Sequence, residues 1–246
     1  MKINILIDRF YPRDYSIERR IFGKKYNLIS LKGQKLTKNF KHLHKINGVL
    51  AWHENNFDKK IINNLRSCKI ITRVGVGYNN VDLNSAKSKN IIVCNVPDYG
   101  INDVADHTIT LILMLLKKIN FFSENIRKKN LWEWGDHKKL KRIQNITLGI
   151  LGCGRIGTAV AIRAKSFGMK VIFYDPFISN GYEKTLSISR EKSLNIFLSK
   201  LDVLTIHTPL TEITKNMVNA KFLKHLKKGS ILINTARGGI INKNDL

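Results

Sequence analysis

The sequence lacks the features that mark membrane, secreted and cysteine-metal proteins. No apolar run reaches about 18 residues, and Met1–Asp8 has the pattern of a short buried strand ending on an acid, unlike a signal peptide. The cysteines are few, odd in number and without C-x-x-C spacing, and they lie in or beside apolar segments: Cys68, Cys94 and Cys153. We therefore expect a soluble, cytoplasmic protein with reduced thiols and no metal site.

Acidic residues are also scarce, because 18 Asp and Glu stand against 43 Lys and Arg, which gives a formal net charge of +25. Nucleic-acid-binding proteins often have such a balance. Here the lysines are spread over the whole chain among abundant Asn and Ile, without a basic stripe interleaved with aromatic residues. We interpret the charge as a solvated surface, of the kind an AT-rich coding sequence produces, which would also attract anionic substrates. Nucleic-acid binding stays the less favoured alternative, and a salt titration of binding would separate the two.

The strongest motif is a glycine-rich segment between two apolar strand patterns. Residues 148–157 read LGILGCGRIG, a helical pattern follows, and the apolar strand Val171–Tyr174 leads to Asp175, 18 positions past the third glycine. Strand, glycine loop, helix and acid in this order predict a dinucleotide site. The alternative is a glycine-rich turn in some other parallel-sheet protein.

Each residue of the motif has a physical role in that prediction. Gly152 permits the tight turn, Gly154 lets the backbone approach a pyrophosphate, and Gly157 lets the helix lie close to the sheet. The helix, expected from about Arg155 to Phe167, points its N-terminal N–H groups at the phosphates. Asp175 is placed to accept hydrogen bonds from a ribose diol and would repel a 2′-phosphate, which favours NAD over NADP.

The order of apolar segments predicts two α/β lobes, each with a parallel sheet. We expect the first lobe at residues 1–100 and the second at residues 101–246. The second begins with a helix for which Asn102 is the expected N-cap, and its nearly all-apolar part, Thr108–Leu116, is expected to be buried between the lobes. The other predicted elements are a helix at Lys59–Arg66 and strands at Ile3–Ile7, Gly48–Ala51, Ile70–Val74, Ile91–Val93, Val203–Ile206 and Ile231–Asn234.

Five segments occur in the order and spacing of the D-isomer-specific 2-hydroxyacid dehydrogenase family. They are RVGVGYNNVD at 73–82, CNVP at 94–97, the glycine-rich loop, HTPLT at 207–211 and NTARGG at 234–239. Over residues 45–246 the chain most resembles the C-terminal-binding-protein-like and phosphoglycerate-dehydrogenase-like branch. The resemblance implies a Rossmann NAD-binding domain at residues 101–246, a flavodoxin-like substrate lobe at residues 1–100, and NAD in the cleft. It also implies hydride transfer between NAD and a D-2-hydroxy acid or its 2-oxo acid.

The resemblance implies roles for the residues that match its substrate site. Arg237 is the expected catalytic residue, a guanidinium that holds the carboxylate and the carbonyl oxygen of the substrate. The backbone amides of Val76 and Gly77 are expected to bind the other side of the carboxylate, the alternative being a plain strand-to-helix turn. Arg73 and His53 match substrate contacts of this branch. For His53 an ordinary surface histidine is the open alternative, whereas Arg73 would otherwise need a carboxylate partner.

The same resemblance implies which residues contact the cofactor. His207 is expected to be one of them and is not expected to be a catalytic residue. The expected cofactor contacts are Val76, Gly152, Gly154, Arg155, Ile156, Gly157, Asp175, His207, Thr208, Pro209, Thr214, Thr235, Ala236 and Arg237. The expected partners are a small 2-oxo or 2-hydroxy acid and a second copy of the chain, because family members dimerise and the Trp132/Trp134 pair would otherwise be exposed. The alternative function is a non-enzymatic NAD(H)-sensing scaffold or corepressor-like protein, although no peptide-docking motif is visible.

The family also has a catalytic Glu and His further along, the His being the acid that protonates the carbonyl oxygen. This sequence ends at Leu246, before either of them. A fragment of an ordinary enzyme and a natural short form are both open, and we prefer the fragment because a sheet cut in mid-fold leaves an open edge. We expect these residues alone to be inactive. The histidines that match no family motif are His42, His44, His107, His137 and His225.

Overall fold

A computed structural model describes residues 2–8, 15–31, 34–130, 132 and 140–246. The chain divides into two compact units, of which unit 1 is Met1–Gly100 and unit 2 is Ile101–Leu246. Each unit is an α/β structure with a five-stranded sheet in which the strands run parallel. The predicted fold class is confirmed.

Unit 1 is built on strands whose central members are apolar on both faces, as buried parallel strands usually are. The strands and helices are β1 Ile3–Asp8, α1 Ser16–Phe22, β2 Tyr26–Ser30, β3 Gly48–Ala51, α2 Lys59–Asn64, β4 Ile70–Arg73, α3 Leu83–Ser88 and β5 Ile92–Asn95, with 3-10 turns at Gly23–Lys25 and Leu43–Lys45. The strand order is β2-β1-β3-β4-β5, which is the flavodoxin-like order. Strand β2 was not predicted, because its five half-exposed or exposed residues carry no clear apolar pattern.

Unit 2 begins with two helices and then alternates strands with helices. Its elements are α4 Ile101–Leu116, α5 Ile119–Lys129, β6 Thr147–Leu151, α6 Arg155–Ser166, β7 Lys170–Tyr174, α7 Tyr182–Leu186, β8 Ser189–Arg190, α8 Leu194–Ser199, β9 Val203–Ile206, α9 Ala220–Leu223 and β10 Ile231–Asn234, with 3-10 turns at Ile143–Asn145, Gly238–Ile240 and Lys243–Asp245. The strand order β10-β9-β6-β7-β8 is the Rossmann arrangement, in which the chain enters at the central strand.

Helix α4 differs from the prediction in two respects. It already begins at Ile101, so Asn102 lies inside the first turn, where its Oδ1 accepts a hydrogen bond from Arg163 Nη2 of α6 at 3.1 Å. The helix is also not buried all round, because Leu115 is 49% exposed. No helix in the described part of the chain, α4 included, is long and apolar enough to cross a membrane. The buried residues of α4 are Ala105, Thr108, Ile109, Ile112 and Leu116.

Candidate functional site

Four strands of unit 2 end side by side, and a predicted cofactor contact follows each of them. Parallel strands place their carboxyl ends at one edge, where open α/β sheets bind ligands. The last residues of these strands are paired in the order Asn234, Ile206, Leu151 and Tyr174. The residues that come next along the chain are Thr235, His207, Gly152 and Asp175.

The three glycines of the loop after β6 have different surroundings. Gly152 has a φ of 90°, and a Cβ there would lie 2.9 Å from Thr208 Cγ2, so the turn requires glycine. A Cβ on Gly157 would collide with the carbonyl oxygen of Gly152, which places the first turn of α6 directly against the loop. A Cβ on Gly154, by contrast, would meet no atom within 4 Å. The loop therefore leaves open space beside Gly154.

Backbone and side-chain donors next to this space have no other partner in the described structure. Gly154 is the N-cap residue of α6, and no side chain there accepts a hydrogen bond from the first turn. The first N–H groups of a helix have no partner within the helix. Among the described residues, the N–H groups of Arg155 and Ile156 donate to no other group. The hydroxyl oxygen of Thr208, across from Gly152, is buried and also lacks a partner there. These donors and the open space suit a bound pyrophosphate.

Asp175 is held at the end of β7 by two backbone donors. Its Oδ2 accepts from the N–H of Cys153 and its Oδ1 from the N–H of Phe177, both at 2.9 Å. A carboxylate oxygen accepts more than one hydrogen bond, so both oxygens keep capacity for ribose hydroxyls. Burial raises the pKa of the neighbouring Cys153 thiol to about 11, so this thiol stays protonated at neutral pH and is not a nucleophile.

His207 is a neutral residue at this edge. Its Nε2 lies 3.0 Å from Thr205 Oγ1, and its backbone N–H donates to the carbonyl of Leu151 at 2.8 Å. Burial lowers the pKa of the imidazole to about 4, so the ring is uncharged near neutral pH and has one N–H donor and one acceptor nitrogen. The following loop is closed by Thr214, whose hydroxyl donates to the Pro209 carbonyl at 2.6 Å. Within the residues that the structure describes, no group of His, Cys, Asp and Glu could hold a metal ion.

Arg237 follows β10 in a loop that the Asn234 side chain organises. Asn234 accepts from the N–H of Ala236 at 3.0 Å and donates to the carbonyl of Arg237 at 2.9 Å. The guanidinium of Arg237 is half-buried and donates from Nη1 to the Ala236 carbonyl at 2.8 Å. The hydroxyl of Thr235 lies 2.9 Å from that of Thr108 in α4, so this side chain contacts the helix.

The predicted substrate residues of unit 1 lie at the carboxyl edge of its own sheet. Arg73 is the last residue of β4 and is buried, and its Nη1 donates to the carbonyl of Val74. A Cβ on Gly75 would collide with that guanidinium. The N–H groups of Val76 and Gly77 donate to no other described residue, while the Val76 carbonyl accepts from Asn95 Nδ2 at 2.8 Å. This turn thus presents two free N–H groups beside a buried arginine.

His53 lies in the loop after β3, at the same edge. The loop is held by Asn80, whose Nδ2 donates to the carbonyls of Trp52 at 2.8 Å and Asn55 at 2.9 Å. The His53 side chain is 75% exposed, with Nδ1 3.9 Å from Glu54 Oε2. The structure therefore places His53 on the same edge as Arg73 but gives its ring an open surface position.

Asp8, which the sequence analysis did not select as a site residue, is a buried acid at this edge. It ends β1 fully buried, and its Oδ1 accepts from Asn55 Nδ2 at 2.5 Å. Asn55 in turn accepts from the N–H of Leu36 at 3.0 Å. Burial raises the pKa of Asp8 to about 6; the charge of Glu54 also raises it, and the Asn55 hydrogen bond and the Arg73 charge oppose the rise. An acid directly after an apolar strand was the available signal.

We expect Asp8→Asn to remove a pH dependence of stability. The folded pKa of about 6 exceeds the unfolded value, so folding takes up a proton between these pH values and stability falls as pH rises through 6. Two pKa units correspond to about 3 kcal/mol. Urea unfolding of Asp8→Asn and the parent should therefore diverge as the pH rises from 4 to 7, with the variant more stable at pH 7. Exposed Asp98 supplies the control substitution Asp98→Asn; a constant difference between Asp8→Asn and the parent would contradict the assignment.

Comparison with known proteins identifies the architecture. Residues 109–246 match the model of the D-isomer specific 2-hydroxyacid dehydrogenase, NAD binding domain. Over 203 residues the chain is 34% identical to C-terminal-binding protein 1 of Caenorhabditis elegans, and over 202 residues it is 34% identical to D-3-phosphoglycerate dehydrogenase of Bacillus subtilis strain 168. Among solved structures, the Aquifex aeolicus D-lactate dehydrogenase complexed with NAD and lactic acid superposes with a TM-score of 0.88 at 29% identity.

The extent of these matches differs. The match to C-terminal-binding protein 1 covers 80% of this chain but only 28% of that protein, and the match to the Bacillus subtilis dehydrogenase covers 82% of this chain but only 38% of that protein. The D-lactate dehydrogenase match covers 98% of this chain and 72% of that structure. A 3-phosphoglycerate dehydrogenase of Entamoeba histolytica, solved with NAD+ bound, matches over all of this chain and 75% of its own, with a TM-score of 0.79 and 26% identity. The glycine loop and its open space lie within the matched NAD-binding domain. The chain belongs to the D-isomer specific 2-hydroxyacid dehydrogenase family.

Proposed function

We propose that the whole protein is an NAD-dependent oxidoreductase that interconverts a small 2-oxo acid and the corresponding D-2-hydroxy acid. The observation that supports this most is the position of Arg237, which follows β10 at the same sheet edge as the glycine loop. An always-charged guanidinium near a bound nicotinamide would hold a carboxylate and a carbonyl oxygen together.

Arg237 is the proposed catalytic residue of unit 2. NAD(H), when bound, supplies or accepts the hydride. Arg237 orients the substrate and stabilises the charge that develops on its oxygen. Considered by itself, unit 1 offers the free N–H groups of Val76 and Gly77, which could bind a carboxylate, and the buried charge of Arg73 would favour an anion beside them. His207, neutral at working pH, lines the cofactor side and transfers no proton.

The stereochemistry of the reaction tests this proposal. The whole protein should oxidise D-2-hydroxy acids with NAD+ and reduce glyoxylate, pyruvate or hydroxypyruvate with NADH, followed by the absorbance of the reduced nicotinamide. The L-2-hydroxy acids are the matched control and should be inert. Oxidation of the L-isomers, or the absence of any turnover with the whole protein, would contradict the proposed activity.

We expect the cofactor preference to depend on Asp175. Its carboxylate has free acceptor capacity for ribose hydroxyls and would repel a 2′-phosphate, and no basic residue follows within Pro176–Phe177. NADH should therefore bind more tightly than NADPH, and Asp175→Ala should narrow the difference by ~1–3 kcal/mol. Titration of both reduced cofactors by fluorescence measures the difference. Equal affinities in the unmodified protein would contradict the role of Asp175.

A non-enzymatic role is a second candidate, because the chain is as similar to C-terminal-binding protein 1 as to the dehydrogenase. In that case the protein would act as an NAD(H)-sensing scaffold. Its distinguishing property would be association that depends on NAD(H), in a whole protein without turnover.

We also propose a cytoplasmic location, where its free cysteines would remain reduced.

We propose a homodimer that covers the apolar surface of the first helices of unit 2. The exposed apolar side chains of these helices are Leu115, Ile119, Phe121 and Ile126. Trp132 is 77% exposed, and its expected companion Trp134 lies outside the described residues. Sedimentation velocity should show a dimer, and Ile119→Glu should shift it to monomer. A monomer at micromolar concentration in the parent protein would contradict the proposal.

A further inference from the structure

The side chain of Arg190 is surrounded by the loop that carries Asp175. Its Nη2 donates to the carbonyls of Asp175 at 2.8 Å and Ile178 at 2.9 Å, and its Nη1 donates to the carbonyl of Ser179 at 3.2 Å. The guanidinium carbon also lies 5.8 Å from the ring centre of Phe173, in a cation–π contact. The loop after β7 therefore wraps around one cation.

Arg190 is itself fixed by its own short strand. It ends β8, where it pairs with Phe173 of β7, and the next N–H, that of Glu191, donates to the Phe173 carbonyl at 2.9 Å. The guanidinium is thus anchored to the same strand whose end carries Asp175. Hydrogen bonds from a charged donor are stronger than those between neutral groups, so the three carbonyls are held firmly.

We propose that Arg190 is a positioning residue that sets cofactor selection through Asp175. It fixes the backbone carbonyl of Asp175, while the N–H groups of Cys153 and Phe177 fix the two carboxylate oxygens. The remaining acceptor positions of the carboxylate then point in one direction, toward the adenosine ribose. This inference rests on the proposed role of Asp175.

The same contacts reduce the capacity of Arg190 to recognise NADPH. A guanidinium near a ribose would attract a 2′-phosphate, but this one already directs three of its N–H groups at loop carbonyls. The guanidinium orders the loop and keeps only two of its five N–H groups for a phosphate. The arginine therefore supports preference for NAD, which is the reverse of the usual effect of a basic residue beside the ribose.

The proposal is tested by comparing two cofactors that differ at the ribose. NADH and its analogue with 2′-deoxyadenosine would be titrated into the parent, Arg190→Met and Arg190→Lys. Methionine keeps the packing against Phe173 but has no donors, and lysine keeps the charge. We expect Arg190→Met to weaken NADH by about 10-fold and the deoxy analogue by less than about 2-fold, with Arg190→Lys in between. Arg142→Met, which removes an exposed charge of the same unit, should change neither affinity.

Each result has a distinct meaning. An equal loss for NADH and the deoxy analogue would show that Arg190 only stabilises the fold, and unchanged NADH affinity would overturn its role altogether. If Arg190→Met does not fold, the ratio of the two affinities in Arg190→Lys decides the question, because it is measured within one folded protein. Asp175→Ala separates the proposed role of Asp175 from that of Arg190. If Asp175→Ala leaves NADH binding unchanged, the proposed role of Asp175 fails. If Asp175→Ala weakens NADH binding and Arg190→Met does not, only the inference on Arg190 fails.

Discussion

Gly154→Ala is expected to weaken NADH binding by roughly 100-fold while the protein stays folded. A methyl group at this position meets no protein atom within 4 Å, so it fits the folded chain. It would instead occupy the space proposed for the pyrophosphate and separate the ligand from the N–H groups at the start of α6. Loss of one or two hydrogen bonds to a charged group accounts for the expected size. The cost to folding is limited to about 1 kcal/mol, because alanine is a poorer N-cap than glycine.

Gly157→Ala is the contrasting variant in the same loop. Its Cβ would collide with the backbone carbonyl of Gly152, so α6 must move away from the loop and stability should fall strongly. Thermal unfolding and NADH fluorescence, measured on both variants, separate a binding defect from a folding defect. Gly154→Ala with the affinity of the parent would show that the pyrophosphate does not lie against this loop.

Arg237→Lys is expected to lower kcat/KM of the whole protein for 2-oxo acids by on the order of 100-fold, with little change in NADH affinity. An ammonium group keeps the charge but cannot engage a carboxylate and a carbonyl oxygen with one planar fork. The loop itself should persist, because Asn234 holds it through backbone groups. Steady-state kinetics with pyruvate or glyoxylate, together with NADH titration, measure the two effects separately.

A nearby surface cation provides the control for Arg237. Lys243 is exposed and lies a few residues further along the chain, so Lys243→Gln removes a positive charge without touching the proposed substrate contact. Its kcat/KM should match that of the parent. Equal losses in both variants would mean that general electrostatic attraction of the acid, and not the fork of Arg237, supports the reaction.

The parts of the fold that were predictable from the sequence are its short, mostly apolar strands. Strands β3, β9 and β10 have the predicted bounds, because each is a short apolar run between polar residues. Strands β2 and β8 lie at sheet edges, and neither contains a fully buried residue, so neither shows a distinct apolar run. A run of mostly apolar residues is what makes a parallel strand visible in sequence.

Some residues of the candidate site were predictable from the sequence and others were not. The glycine loop and Asp175 were predictable because close approach and strand-end placement impose residue types at fixed spacing. The supporting residues Asp8 and Arg190 were not, since their roles depend on partners brought close only by folding, such as Asn55, which is 47 positions from Asp8. Asn102 was misassigned because helix α4 starts two residues earlier than an N-cap at Asn102 would require.

The central claim, that this protein holds a 2-oxo acid beside NAD, is tested most directly by the coupling between two ligands. Oxamate is an unreactive analogue of a 2-oxo acid, and its affinity would be measured by calorimetry with and without saturating NADH. We expect NADH to tighten oxamate binding by about 10-fold or more, within the usual range of coupling between sites. Oxamate binding that is absent, or equally strong with and without NADH, would contradict it.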